Sequence, residues 1–394
     1  MIIFVMHQGT AFRDRGADLA GRPFSSHLPE QCMSIASGAI AVIDTVNPYP
    51  GQQGSFTAGH DILLVSGDVW ISIAALENLF LLISRNPVRA LIVNSGGDDS
   101  PDGKQQEVPL AVYLPAEEAR VLLGPDSKSV FTDSLANLFS RLGDCDVVEG
   151  ESLDPALPPR QVKNMLDLAV LEREILYQRA CAALLRGTRI RDPNRIAIRG
   201  DLQCGDGVEI DLDVIIEGKV ILGERVKIGA NSILISSTIG ANTRVNPFSV
   251  VEGSVIGANS FVGPYGRVRP GSSIGDFAQI GNFVEIKNSE VGAGARINHL
   301  AFIGDARLER NVTIGAGTIT CNHDGVGVSR TEIRAGAYVG SGCKLVAPLS
   351  IGENATIGAG STITDDVPEG KLVVARSRQV TVENWLRPGK KLAD

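Results

Sequence analysis

The residues best equipped for chemistry in this chain sit where a regular pattern fails. The segment Cys321-Asn-His-Asp-Gly-Val-Gly-Val-Ser-Arg330 gathers an amide, an imidazole, a carboxylate and a guanidinium within an otherwise aliphatic stretch. Such a set suits proton transfer and the binding of a polar solute, and loops on a rigid scaffold are where chemistry tends to sit. A second polar terminus follows the apolar run Ile62-Leu-Leu-Val-Ser-Gly-Asp68, which reads as a buried strand bringing Asp68 to a site at its C-terminal edge. The cysteines at 32, 145, 181, 204, 321 and 343 form no Cys-x-x-Cys pair and do not cluster with histidine. That scatter argues against a zinc site or a disulfide framework and for a reducing, cytoplasmic setting.

The pattern interrupted at Cys321 is an aliphatic residue followed by Gly, returning at multiples of about six residues. It stands at Leu222-Gly223, Ile228-Gly229, Ile256-Gly257, Val262-Gly263, Ile274-Gly275, Ile280-Gly281, Ile303-Gly304, Val339-Gly340, Ile351-Gly352 and Ile357-Gly358. This period fits neither a helix nor plain strand alternation. It fits a triangular coil with three short flat faces per turn and the aliphatic residue inward, stable only when stacked on the next coil. The expected fold is therefore a left-handed parallel β-helix of hexapeptide repeats. The interval from Ile314-Gly315 to Val339-Gly340 exceeds one coil, so the polar segment must bulge outward.

The first part of the chain alternates differently. The opening Met-Ile-Ile-Phe-Val-Met reads as a strand, since it is short for a signal peptide and lacks a basic leader. Ile62–Asp68 is followed by a helical pattern (Ile73, Leu76, Leu79, Leu81, Leu82), then by the strand Ala90-Leu-Ile-Val-Asn94 and the polar loop Gly96–Gly103. Strands alternating with helices predict an α/β layer with a mainly parallel sheet. From Gln161 to Leu185, apolar residues recur at three- and four-residue steps (Val162, Leu166, Leu168, Leu171, Ile175, Leu176) without Gly or Pro, which predicts one long helix. The expected division is an α/β domain over 1–160, a helix and connection over 161–198, the β-helix over 199–378 and a tail over 379–394. A net charge of -8 gives no footprint for nucleic acid or an anionic membrane. No apolar run approaches the length of a membrane-spanning helix.

From Arg199 onward the chain resembles the acetyltransferase half of the bifunctional N-acetylglucosamine-1-phosphate uridylyltransferase/glucosamine-1-phosphate acetyltransferase family. The matching text runs through Arg191-Asp-Pro, Val214-Ile-Ile-Glu-Gly218, Arg269-Pro-Gly, Gly281-Asn-Phe-Val-Glu-Ile-Lys287, His299-Leu and Gly304-Asp-Ala. It continues through Ile314-Gly-Ala-Gly-Thr-Ile-Thr-Cys-Asn322 with Asp324-Gly325, Leu345-Val-Ala-Pro348 and Trp385-Leu-Arg-Pro388. The resemblance implies acetyl transfer from acetyl-CoA to the amino group of a hexosamine phosphate, in sites shared between the subunits of a homotrimer. It makes His299 the general base, a role that neutral imidazole suits. Ala316, through its backbone N–H, would meet the thioester oxyanion. Ser341, Ala359 and Arg376 fall where the family contacts the cofactor, Arg376 being suited to a CoA phosphate. Arg269, Lys287 and Asn322 fall at acceptor-binding positions. The acceptor side also departs from the family: Phe302 replaces a Tyr, Thr313 an Asn, His323 a Tyr, and Val328 stands in place of a Lys, so the acceptor amine is left open.

The N-terminal part resembles a degenerate form of the family's nucleotidyltransferase domain, Rossmann-like in layering. Gly9-Thr10 and Leu19-Ala-Gly-Arg-Pro23 resemble its opening signature, and Ser66-Gly-Asp68 its metal-binding strand end. The phosphate loop, however, reads Met6-His-Gln-Gly-Thr-Ala-Phe12, with side chains where bare backbone must approach phosphate. An acid, Asp14, stands near the place of the catalytic Lys. Asp68 would hold Mg²⁺ only if this site were active, with Lys163 or Asn164 at the second ligand position. Two other readings stay open: a bifunctional enzyme with residual uridylyl transfer, and a non-catalytic assembly or regulatory homologue.

Overall fold

The structure, a computed structural model, describes residues 164–383 without a break. Before them it describes 2–6, 18–19, 22–23, 41–44, 62–66, 69–85, 91–94, 109–114, 146–149, 153–155 and 159–162, and after them 385. Gly9, Thr10, Asp14, Asp68 and Lys163 lie outside the described residues. The chain divides into two compact units, Met1–Ile175 and Leu176–Asp394.

In the first unit, six strands form one sheet in the order Ala41–Asp44, Ile2–Met6, Ile62–Ser66, Pro109–Leu114, Leu91–Asn94, Asp146–Glu149. Ile2–Met6 runs parallel to both neighbours, and Leu91–Asn94 runs parallel to Asp146–Glu149. Pro109–Leu114 is antiparallel to both of its neighbours, so the sheet is more mixed than strand–helix alternation alone predicts. Alternation of strands with helices fixes the layers but not the direction of each strand, which the pairing with both neighbours shows to be antiparallel here. Helix Ile73–Arg85 starts where Ser72 Oγ accepts from the Ala75 N–H at 3.0 Å. Leu76 and Leu79 are buried, whereas Leu81 and Leu82 face outward.

The long helix spans Met165–Leu185. It begins at Met165 rather than near Gln161, where the apolar spacing starts, because Asn164 caps it. Asn164 Oδ1 accepts from the N–H groups of Leu166 (2.8 Å) and Asp167 (3.0 Å), while Asp167 Oδ2 accepts from the Asn164 N–H. Leu168, Leu171 and Ile175 are buried, but Leu166, in the cap turn, is exposed. Gly187 ends the helix with φ +95°, the Thr188 N–H reaching back to Ala183 O at 3.1 Å. Ala180 and Ala183 join the hydrophobic cluster of the first coil, and Arg179 Nη1 donates to Ile198 O at 2.9 Å. The C-terminal half of the helix thus covers the apolar end that a stacked coil leaves bare. Among the described residues, no helix is long and apolar enough to cross a membrane.

The second unit is the parallel β-helix of hexapeptide repeats. An 11-stranded parallel ladder runs from Arg189–Ile190 to Leu372–Val373 and forms the first face; the other two faces share a 17-stranded sheet. The ladder thus starts at Arg189, ahead of the boundary expected at Arg199. Along the first face Ile280 pairs with Ile297 and Ile297 with Ile314, so these two coils close after the same interval. Ile228, Val262, Ile280, Ile297, Ile314, Val339 and Ile357 are all buried in one continuous core, as the inward aliphatic position requires. Most of these aliphatic residues are followed by Gly, Ile297 by Asn298 being an exception, because the next coil's backbone lies against that position. A Cβ on Gly275 would sit 2.6 Å from Ala293 N. Buried hydroxyls tie successive turns: Ser260 Oγ donates to Gly275 O (3.0 Å) and accepts from the Ala278 N–H (3.0 Å).

One coil is longer than its neighbours, the one in which Ile314 pairs with Val339. The excess lies between strands Ile319–Cys321 and Thr331–Ile333 and projects as the exposed segment predicted from the broken period. Replacing Gly275 by Ala should lower the unfolding free energy of the coil by about 1–3 kcal/mol, since rigid backbone must shift. Gly327→Ala, in the projecting segment where nothing lies within 4 Å, should be near neutral. Thermal and urea denaturation of the two variants checks the contrast.

Candidate functional site

The candidate base lies at the end of the first face. Strand Arg296–His299 pairs with Gln279–Asn282, setting His299 directly beside Asn282. His299 Nδ1 and Asn282 Oδ1 are 2.6 Å apart. An amide oxygen only accepts, so in the neutral ring this contact selects the Nδ1–H tautomer and leaves the Nε2 lone pair free. His299 is exposed, hence open to a solute. Asn282 was not singled out from the sequence, although it stands inside the quoted Gly281–Lys287 text, one coil before the histidine.

The register carries this position upward. Ile297 pairs with Ile314, Ile314 with Val339 and Val339 with Ile357, so His299, Ala316, Ser341 and Ala359 occupy successive rungs of one column. Backbone hydrogen bonds join the rungs: the Gly317 N–H to Leu300 O (2.9 Å), the Gly342 N–H to Ala316 O (2.7 Å) and the Gly360 N–H to Ser341 O (2.8 Å). Arg376 closes the column, its Nη1 donating to Ala359 O at 3.1 Å. Small side chains at three consecutive rungs leave a track along this edge that ends at an exposed guanidinium. Among the described residues the Ala316 N–H has no hydrogen-bond acceptor, which leaves it available to an oxyanion.

The acceptor candidates gather on the second face. Lys287 pairs in register with Gly304, and Glu285 with Phe302. Asp305 is the hub. Its carboxylate accepts from Asn288 Nδ2 (2.6 Å) and Asn322 Nδ2 (2.5 Å) and stands 3.6 Å from Lys287 Nζ. Partial burial raises the Asp305 carboxyl pKa, but the bonds from Asn288 and Asn322 and the Lys287 charge outweigh it, so the group sits below its ordinary range. Arg269 Nη1 is likewise paired, with Glu285 Oε1 at 2.9 Å. Gly304 explains how Phe302 fits: a Cβ there would lie 2.7 Å from Phe302 Cζ and 2.9 Å from Asn322 Nδ2. The phenyl ring therefore lies over bare backbone beside the Asn322 amide.

Two candidates stand apart from this cluster. Thr313 belongs to the first face, between Arg296 and Tyr338. His323 is exposed in the projecting segment, bridged to Val328, with Nδ1 accepting from the Gly325 N–H at 3.0 Å. The tip of that segment holds itself by Asp324 Oδ1, which accepts from the Val326 and Gly327 N–H groups. Of the metal-ligand candidates in the first part of the chain, only Asn164 is described, and its carbonyl is engaged in the helix cap. Asp305 and Glu285 were legible only as parts of quoted motifs; their pairing partners are set by the coil period.

Two family models match parts of this unit: the GMPPB C-terminal domain over residues 198–276 and the bacterial transferase hexapeptide (six repeats) over residues 330–365. Bifunctional protein GlmU of Methylococcus capsulatus is 49% identical over 250 residues, 62% of this chain and 54% of that protein. The protein of the same name from Chromobacterium violaceum is 47% identical over 244 residues, again 62% and 54%. That from Acidithiobacillus ferrooxidans is 43% identical over 280 residues, 71% and 60%. The chain thus spans little more than half the length of the curated relatives it matches, and there the resemblance read from the sequence is borne out. Among solved structures, a UDP-N-acetylglucosamine acyltransferase from Bacteroides fragilis is similar at 18% identity, covering 45% of this chain and 69% of its own. The TM-score between the two is 0.31.

Loss of the amide acceptor should free the imidazole tautomer. In Asn282→Ala the ¹⁵N shifts of His299 should move from a single Nδ1–H tautomer to a mixture, and Asn282→Asp should preserve it. Asp305 supplies a pH test. Because its folded pKa is depressed, its stabilisation is fully present above the unfolded carboxyl value, roughly 4, and is lost as pH falls through the folded value. Amide protection at Ser329, whose N–H bonds to Asn322 O at 2.8 Å, should therefore hold between pH 7 and about 5. In Asp305→Ala it should fall throughout that range, as read by hydrogen exchange corrected for intrinsic rates.

Proposed function

We propose that this chain transfers the acetyl group of acetyl-CoA to the amino group of a hexosamine phosphate of the glucosamine 1-phosphate type. The product would serve the cytoplasmic synthesis of UDP-GlcNAc-type envelope precursors. The observation that carries this reading is the single column running from His299, oriented by Asn282, through Ala316, Ser341 and Ala359 to Arg376.

In the proposed reaction the acceptor nitrogen attacks the acetyl carbonyl carbon, forming the new C–N bond, while His299 Nε2 takes the proton that this nitrogen sheds as it bonds. The Ala316 N–H stabilises the oxyanion that develops, the rungs of small residues leave room for the pantetheine arm, and Arg376 meets a CoA phosphate. Breakage of the C–S bond releases CoA, its thiolate taking up the proton held by His299. On the acceptor side Arg269 and Lys287 reach the sugar phosphate, which must compete with Glu285 and Asp305 for them. Phe302 gives the pocket an apolar wall where a phenol would add a hydrogen bond, worth about 0.5–1.5 kcal/mol net. The exposure of His299 in the single chain supports a site completed by a neighbouring copy in a homotrimer.

Thiol release from acetyl-CoA, measured across amino sugars and their 1-phosphates, tests the reading. His299→Ala should reduce turnover by about 10²–10⁴-fold, the usual contribution of a general base. Activity indifferent to that substitution would overturn the mechanism. Phe302→Tyr should lower KM for the best phosphate acceptor if the phenol reaches it, with kcat moving less.

A further inference from the structure

We infer that the first coils carry an anion site, distinct from the His299 column, that takes a phosphate group or a short polyphosphate. A cavity of about 220 Å³ opens there on the first face, lined by Arg189, Arg191, Lys227 and Arg244 with Glu209 and Asp211. Register places Arg191, Asp211, Gly229 and Asn246 on successive rungs of one column. Gly229 lets the next coil come close, a Cβ there lying 2.6 Å from Pro247 N, so bare backbone and Pro247 line the cavity between the charged side chains.

The charges lining the gap do not balance. Glu209 is shared between Lys227 Nζ at 2.9 Å and Arg189 Nη1 at 3.5 Å, and Asp211 is taken by Arg191 Nε at 3.0 Å. Arg244 has no carboxylate partner among the described residues, so four cations face two acids. The cations are also the more accessible: the side chains of Arg189, Arg191 and Lys227 are 70%, 61% and 49% exposed, against 37% for both acids. A solute therefore meets positive charge first. The same field, led by Lys227 and aided by Arg189 and Arg191, holds the Glu209 carboxyl below its ordinary range.

Guanidinium forks match the oxygens of a phosphate, and Arg191 meets Asp211 through Nε. Size sets the class of ligand. Pockets that bury drug-sized molecules run to roughly 300–1,000 Å³, so this one suits a phosphate or short polyphosphate better than a whole nucleotide. A polyanionic chain is disfavoured because the charged column stops one rung beyond Arg244, at Phe261.

The test uses the full chain with inorganic phosphate and tripolyphosphate at fixed ionic strength, by calorimetric titration and thermal melting. Tripolyphosphate should bind, more tightly than phosphate, and raise the melting midpoint with concentration. Arg244→Glu should weaken binding by at least tenfold and Arg244→Gln by less, with circular dichroism confirming that both fold. Equal binding by wild type and Arg244→Glu would overturn the inference. So would a variant whose mass in solution changes while its affinity does not, since the face would then be a contact between copies. None of these readouts draws on acetyl transfer, so the two readings fail separately.

Discussion

Everything in the second unit depends on the registry of one coil on the next. Backbone N–H groups of each rung donate to carbonyls of its neighbour, as in the Gly240 N–H to Ile256 O (2.7 Å) and the Gly263 N–H to Ile280 O (2.8 Å). That close approach is permitted by glycine and reinforced by buried hydroxyls. A slip of one residue would turn the aliphatic row outward, so the core and the hydrogen bonds select the same register. The site inherits its geometry from this constraint. His299, Ala316, Ser341 and Ala359 are far apart in sequence yet aligned because each completes the same corner of its rung.

The two halves of the site rest on different physics. The side proposed for the thioester is mostly backbone: an amide N–H, small residues and a terminal guanidinium held by a carbonyl. The acceptor side is made of side-chain pairs, Arg269 with Glu285 and Lys287 with Asp305, locked further by Asn288 and Asn322. Pairing keeps each cation in place without substrate, and it also means a phosphate must share or displace a carboxylate.

The coil was legible because its signal is periodic and redundant: every aliphatic–Gly unit states the same geometry, and the lengthened interval marks where the chain leaves it. The column of His299 was legible through the same period. Contacts made by single side chains were not. Asn282 lies inside a quoted motif, but nothing in its type says that it faces the histidine; that follows only once the two are known to stand a full coil apart. Similarly, the start of the long helix followed Asn164 rather than the apolar spacing, because a local cap outweighs periodicity at a terminus. The strand Pro109–Leu114 showed that alternation predicts layers better than strand direction.

The projecting segment between Cys321 and Thr331 has a consequence for how such a protein can change over generations. Above and below it the ladder resumes without phase error, Ile297 to Ile314 on one side and Val339 to Ile357 on the other. A defect confined to one rung leaves its neighbours indifferent, so residues can be gained, lost or exchanged there without refolding the scaffold. Asn322 ties the base of the segment to Asp305, while the tip is held by its own turn. Selection can therefore rewrite the tip while the column proposed to handle the acyl group stays unchanged.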